Sequence, residues 1–172
     1  YLIQRHQGIE VFNAMITLTI DQEGKVYQAG HQLIADLVSK VNTTQAQISA
    51  ETALYKAAGH RNILINETPR LLQQKGNREF IFDKGHFSEE DVKVKLCYFP
   101  MEDGRLRLAW DLAIRDLKSS DFPNIRVDAL DGSILDEDNW THYSTSPKHA
   151  YRNLDRPRPQ RRTDEAVETL PK

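Results

Sequence analysis

The chain has 172 residues with 23 basic and 25 acidic side chains, giving a formal net charge of −2 and a pI near 6.3. That balance excludes the strongly basic surface of a general nucleic-acid binder, and no apolar run approaches the roughly 18 residues that a bilayer span requires. An apolar fraction of 39% and a charged fraction of 28% are those of a globular protein with one large or two small domains. Cys97 is the sole cysteine, so no intrachain disulfide can form, and within a strand its thiol reads as a small buried hydrophobe. The chain opens at Tyr1 with strand-like residues, which reads as a fragment or processed product whose beginning, any signal peptide included, lies elsewhere.

Residues 1–34 read as a β-meander. Phe12, Ala14, Ile16, Leu18 and Ile20 share one face by period-2 alternation, Gly8 marks a tight connection, and Asp21 to Gly24 is a polar turn before the return strand. A sheet this small is marginal alone in water, so it needs a preceding helix, a partner, or cover from the rest of the chain. Asp36 to Gln47 is a polar connection. Ser49 is then placed as a helix N-cap, and Ala50, Ala53, Leu54, Ala57 and Ala58 form one apolar helical stripe with Gly59 at its C-terminal end.

Residues 60–91 carry little pattern beyond loops at Asn66 to Pro69 and Lys75 to Asn77 and a brief strand at Phe80 to Phe82. Val92, Val94, Leu96 and Tyr98 alternate with polar neighbours up to Pro100, and Met101 to Gly104 turns that strand back. Leu106, Leu108, Trp110, Leu112 and Ile114 then share one parity, while Arg105, Arg107, Asp111 and Arg115 share the other. This predicts a long strand with one dry and one wet face; Trp110, in parity with four aliphatics, is assigned first to the core. Ile125, Val127 and Ala129 repeat the alternation up to an Asp131-Gly132 turn.

From Ser144 the composition shifts to prolines and five arginines, an extended or disordered tail. Its seven basic and four acidic residues give +3 and leave −5 on the remainder. Arg161-Arg162 reads either as a processing site in accessible backbone or as a solvated basic linker. Asp128, Asp131, Asp136, Glu137 and Asp138 read as a solvated acidic turn rather than a calcium site, because EF-hand spacing is missing. Asn42-Thr43-Thr44, Asn66-Glu67-Thr68 and Asn139-Trp140-Thr141 fit the N-glycosylation pattern. No catalytic set, cofactor loop or metal-ligand pair is visible, and no histidine is followed by glutamate.

Three stretches together resemble one family. Gln4 to Ala14, followed by Asp21 to Val26, resembles the core of the fungalysin/thermolysin propeptide domain. The Ser49 helix and the Leu106 to Ile114 strand, with its Trp110-Asp111 pair, resemble a PepSY-type module, and Asn124 to Leu135 is similar to the way that module closes. Over roughly residues 1–142 the chain thus resembles the propeptide of secreted fungalysin-type zinc metallopeptidases, with three departures. The helix expected before residue 1 is missing, residues 60–91 form an insertion, and the His-Glu-x-x-His catalytic domain is absent.

The resemblance implies an α+β fold of two small units, each an antiparallel meander with a helix packed on its sheet in PepSY/cystatin-like fashion. The first unit (1–41) is truncated, the second spans 42–143, and the tail is 144–172. It also implies a secreted or extracytoplasmic, non-catalytic propeptide that keeps a zinc metallopeptidase inactive and assists its folding until proteolysis removes it. The implied partner is the cognate catalytic domain. The wet face of Arg105, Arg107, Asp111 and Arg115 becomes a candidate docking surface and Arg161-Arg162 a candidate processing site. The other reading is a free-standing extracytoplasmic module that binds a peptide or protein.

Overall fold

Alternating apolar residues build most of this molecule. The computed structural model describes residues 1–119 and 121–139. Among the described residues, nine strands and two helices run in the order β1 (Leu2–His6), β2 (Ile9–Ile20), β3 (Val26–His31), α1 (Leu37–Lys40), α2 (Ala50–His60), β4 (Leu71–Lys75), β5 (Glu79–Phe82), β6 (Val92–Pro100), β7 (Leu106–Ala113), β8 (Pro123–Asp128) and β9 (Ile134–Asn139). All nine strands belong to one hydrogen-bonded sheet, with β1-β2-β6-β7-β8-β9 as its main path. The fold is mostly β, with a single substantial helix.

The expected meander is antiparallel everywhere except at one junction. β2 runs parallel to β6 through Glu10 beside Cys97 and Val11 beside Tyr98. β7 lies along β6 from Val94 to Pro100, so β5 and β2 share the other edge, β5 beside Val92 to Lys95 and β2 just beyond. The first three strands are therefore not a free-standing sheet, because the start of β2 is tied into the second half of the chain.

β2 also departs from simple alternation. Ile9 and Val11 are buried, and the next buried residue is Ala14, three positions on, so the parity switches between them. The cause lies at Asn13, with φ of 55°, a left-handed conformation that asparagine tolerates better than most residues. The step from Ile3 to Arg5 on β1 spans Met15 to Glu10 on β2, an irregularity that holds the extra residues. Phe12 consequently faces away from the core that Ala14 enters, correcting the expectation that they share a face.

The helix follows its sequence closely. Ser49 Oγ accepts the Thr52 N–H at 3.0 Å, and Ala50, Ala53, Leu54, Ala57 and Ala58 are the buried residues. Small side chains let α2 lie close across β6 to β9, where Leu54 belongs to the same buried cluster as Leu108, Trp110, Leu112, Ile125 and Val127. Full burial of a leucine such as Leu54 contributes about 1.5–3 kcal/mol. The C-terminal end differs from expectation. Gly59 lies inside the helix, and Asn62 (φ 56°) takes the left-handed position. Asn62 N–H reaches Gly59 O and Ile63 N–H reaches Ala58 O, the paired bonds of a Schellman ending. By contrast α1 has no fully buried residue; its Leu37 packs half-buried against the core, and β1 to β3 keep large apolar side chains exposed.

β7 behaves as its parity foretells, with Leu106, Leu108, Trp110, Leu112 and Ile114 all buried. Trp110 Nε1 donates to Ile48 O at 3.1 Å, which pins the segment entering α2 to the sheet. β8 does not show a wet face. All six of its residues are buried, including Asn124, Arg126 and Asp128. After β8, Gly132 (φ 78°) closes the turn where a Cβ would stand 3.2 Å from Lys56 Cε. β4 escapes the pattern entirely, since all five of its residues are exposed.

Candidate docking surface

The face of β6, β7 and β8 that points away from α2 carries most of the molecule's organised charge. Strand register explains the grouping. Asp111 on β7 stands opposite Arg126 on β8, and Arg126 stands opposite Asp136 on β9. The Arg126 side chain is 0% exposed. Its Nε lies 3.3 Å from Asp111 Oδ1, and its Nη1 lies 2.6 Å from Asp136 Oδ2 and 3.1 Å from Asp138 Oδ2. The Nε contact is an ion pair without hydrogen-bond alignment. Phe12, turned outward by the Asn13 irregularity, lays its ring 4.2 Å from the guanidinium, a cation–π contact that supplements the ion pairs. Burial pushes the Asp111 carboxyl above its ordinary range, although Arg126 pulls it down.

The four residues expected to form a docking face are placed differently from one another. Arg105 stands at the hairpin end, 76% exposed at its side chain and paired with Asp103. Arg107 reaches diagonally to the fully buried Asp128, with 2.6 Å between Nε and Oδ2. Asp111 is tied to Arg126. Arg115, 45% exposed, pairs with Glu89 and Glu90. Asp111 and Arg115 line one cleft of about 340 Å³ with Lys93, Lys95, Phe122 and Asn124. Arg105 and Arg107 do not line it. Arg161 and Arg162 lie outside the described residues, as does the whole segment 144–172.

The acidic cluster is not the solvated turn expected of it. Asp128 pairs with Arg107, Asp136 and Asp138 with Arg126, and Glu137 with His60 and Arg61. Among the described residues, no group of three or more His, Cys, Asp or Glu side chains could hold a metal ion. Cys97 is buried on this face, and burial raises its thiol pKa far above the ordinary range. Among the described residues no helix is long and apolar enough to cross a membrane.

Two further features went unread in the sequence. Glu10, at the parallel junction, holds both Lys95 of β6 and Arg5 of β1. Burial raises its pKa, and the hydrogen bonds from Lys95 and Arg5 more than offset this, so it lies below the usual glutamate range. A depressed folded-state pKa gives stability that is present above the unfolded value and lost as pH falls through the folded one. Glu10→Gln should therefore lower stability by roughly 1 kcal/mol at pH 7. The deficit should shrink below about pH 4. Urea unfolding at both pH values measures it, and an equal deficit at each would contradict the linkage.

The second feature is bare apolar surface on the first three strands. Tyr1 (85%), Leu2, Ile20, Val26 and Tyr27 (81%) are each more than half exposed. The charged face and these side chains are two exposed surfaces, one charged and one apolar. Residues 1–33, which span β1 to β3, match the Fungalysin/Thermolysin Propeptide Motif.

The chain is 27% identical over 112 residues to "Probable extracellular metalloproteinase 5" of Trichophyton verrucosum. It is 28% identical over 112 residues to "Extracellular metalloproteinase 5" of Trichophyton rubrum and 25% identical over the same length to "Extracellular metalloproteinase 1" of Arthroderma gypseum. Each match covers 64% of this chain and 18% of the relative, so the chain spans less than a fifth of the proteins it matches. The resemblance to the propeptide of a fungalysin-type metallopeptidase, first read from Gln4 to Val26, is borne out by these matches.

Proposed function

We propose that this chain is a non-catalytic propeptide that keeps a secreted zinc metallopeptidase inactive, assists its folding, and is then removed by proteolysis. One observation carries the reading: the propeptide motif at residues 1–33 coincides with the strands whose apolar side chains stand in solvent. Apolar surface of that kind marks a protein interface, and the partner that the motif points to is the catalytic domain of a fungalysin-type peptidase. In this reading 1–41 and 42–143 are two modules joined edge to edge through β2 and β6, the second of PepSY type. The tail 144–172 carries Arg161-Arg162 as the processing stretch. Removing the tether would turn an intramolecular inhibitor into a dilute one.

The Arg105 to Arg115 face is proposed as a second contact, with its exposed ends, Arg105 and Arg115, as the residues to test. Arg107 is unsuitable, because a glutamate there would face the buried Asp128. The purified chain should inhibit the matching mature peptidase at micromolar excess. Arg105→Glu with Arg115→Glu should weaken the complex on the order of tenfold, chiefly through slower association. Unaltered binding by a folded double variant would return this face to solvent. Full hydrolysis with no detectable complex would remove direct inhibition and leave the folding role, which refolding the peptidase with and without the chain decides.

A second reading, a free-standing extracytoplasmic module that binds a peptide or protein, draws on a different feature. A cleft of about 570 Å³ opens between the start of α2 and β4–β5, floored by Phe80, Phe82, Leu96 and Trp110 with Arg78 at its rim. A gene that continues past Lys172 into a His-Glu-x-x-His segment favours the propeptide. A stop codon directly after Lys172 favours the module.

A further inference from the structure

We infer that Asn42 is an N-glycosylation acceptor, at an Asn-x-Thr site whose asparagine and threonine the fold leaves exposed. Asn42 is exposed in the loop after α1, held against the end of β7. Its backbone N–H donates to Leu106 O at 3.1 Å. Its Oδ1 accepts two backbone N–H groups, from Thr43 at 2.9 Å and Leu108 at 3.0 Å. With the oxygen fixed inward by two donors, the amide plane is set and Nδ2 is turned the other way, with no hydrogen-bond partner among the described residues. A sugar on Nδ2 leaves Oδ1 a carbonyl, so both bonds survive the modification. Thr44, which completes the site, is exposed.

The Asn66 site is less suited. Asn66-Glu67-Thr68 runs into the buried Pro69, which restricts Thr68 to extended backbone and opposes the turn that brings its hydroxyl to the asparagine amide. At the third site Asn139 likewise accepts through Oδ1, from the Phe122 N–H, and Trp140 and Thr141 lie outside the described residues.

The co-reactant is a lipid-diphosphate-linked oligosaccharide of a eukaryotic secretory pathway. Asn42 Nδ2 forms a bond to the anomeric carbon, the carbon–oxygen bond to the diphosphate breaks, the lipid diphosphate leaves with the electron pair, and one amide proton is lost. No oxidant or reductant is needed. The glycan would stand on the edge of β7 away from β6, two strands from β2, and would leave the bare apolar residues of β1 to β3 open to a partner.

This inference rests on the export reading above, so its test supplies its own secretory leader. The 172-residue chain is expressed in yeast behind that leader, and intact mass is measured before and after peptide-N-glycosidase on secreted and cell-associated material alike. The native chain and Thr44→Ser should carry a mass that the glycosidase removes, leaving aspartate at position 42 on peptide mapping, whereas Thr44→Ala should keep asparagine there. Thr44→Ala leaves the Asn42 anchor intact, so that outcome is not a folding effect. A native chain that keeps asparagine at position 42 after the glycosidase, or a Thr44→Ala chain that acquires aspartate there, overturns the inference. The inhibition assay with unglycosylated bacterial protein tests the propeptide reading separately.

Discussion

Arg126→Ala is expected to cost about 3–5 kcal/mol of folding stability, the loss that follows when one member of a buried ion-paired group is removed. The side chain is fully buried and meets Asp111, Asp136 and Asp138. Truncation leaves these carboxylates without their cation and takes away the face against which Phe12 packs. Urea unfolding at pH 7 measures the loss, and a deficit under about 1 kcal/mol would mean that water already solvates these charges. The pH dependence gives a second readout. Burial raises the Asp111 carboxyl, and Arg126 is the chief group that opposes it. A carboxyl with a raised folded-state pKa favours the fold most when protonated, and stability falls as pH rises through that pKa. Without Arg126 this effect grows, so the deficit should narrow on acidification toward the ordinary aspartate range. Neutralising the orphans as well, with Asp111→Asn and Asp136→Asn in an Arg126→Met background, should recover more than half of the loss.

That buried network also marks the limit of reading this chain from its sequence. Periodicity located the buried stripe of α2 and the dry face of β7, because there the buried positions are apolar and regularly spaced, although Ala109 on the other parity of β7 is buried as well. β8 carries an equally clean alternation, yet Asn124, Arg126 and Asp128 lie inside the protein. A polar residue that faces water and one that faces a buried counter-charge look alike in a hydropathy pattern. Only the register, which sets Arg126 between Asp111 and Asp136, separates them. At Asn13 a single left-handed residue exchanged the two faces of β2, and nothing in the neighbouring side chains foretold it. Leu71 to Lys75 went unread as a strand for a simpler reason. Exposed on both faces, it has no alternation to show, and only its pairing with β5 makes it a strand. The site divides the same way: the exposed ends of the charged face, Arg105 and Arg115, were legible, while Glu10 and Phe12 depend on contacts remote in sequence.

Trp110→Ala should be as damaging as the loss of Arg126, at about 3–5 kcal/mol, because it empties the centre of the core. The indole is 2% exposed, meets Phe80 edge-on at 5.7 Å between ring centres, and donates to Ile48 O just before the helix cap. It therefore joins β7 to both α2 and β5. Trp110→Phe keeps much of the volume and loses the donor, so it should cost less, about 1–3 kcal/mol for the unsatisfied Ile48 carbonyl and the smaller ring. Equal losses from Ala and Phe would mean that the hydrogen bond, not packing, holds the α2 entry segment in place. The contrast with the surface separates scaffold from function. Arg105→Glu with Arg115→Glu, at exposed positions, should leave the fold in place and act on complex formation. Trp110→Ala should weaken inhibition only as far as it unfolds the chain, so stabilising the fold with an osmolyte such as sucrose should restore inhibition to the Trp110 variant and not to the arginine double variant. Restoration in both would place the arginines in the scaffold, and restoration in neither would place Trp110 in the contact with the peptidase.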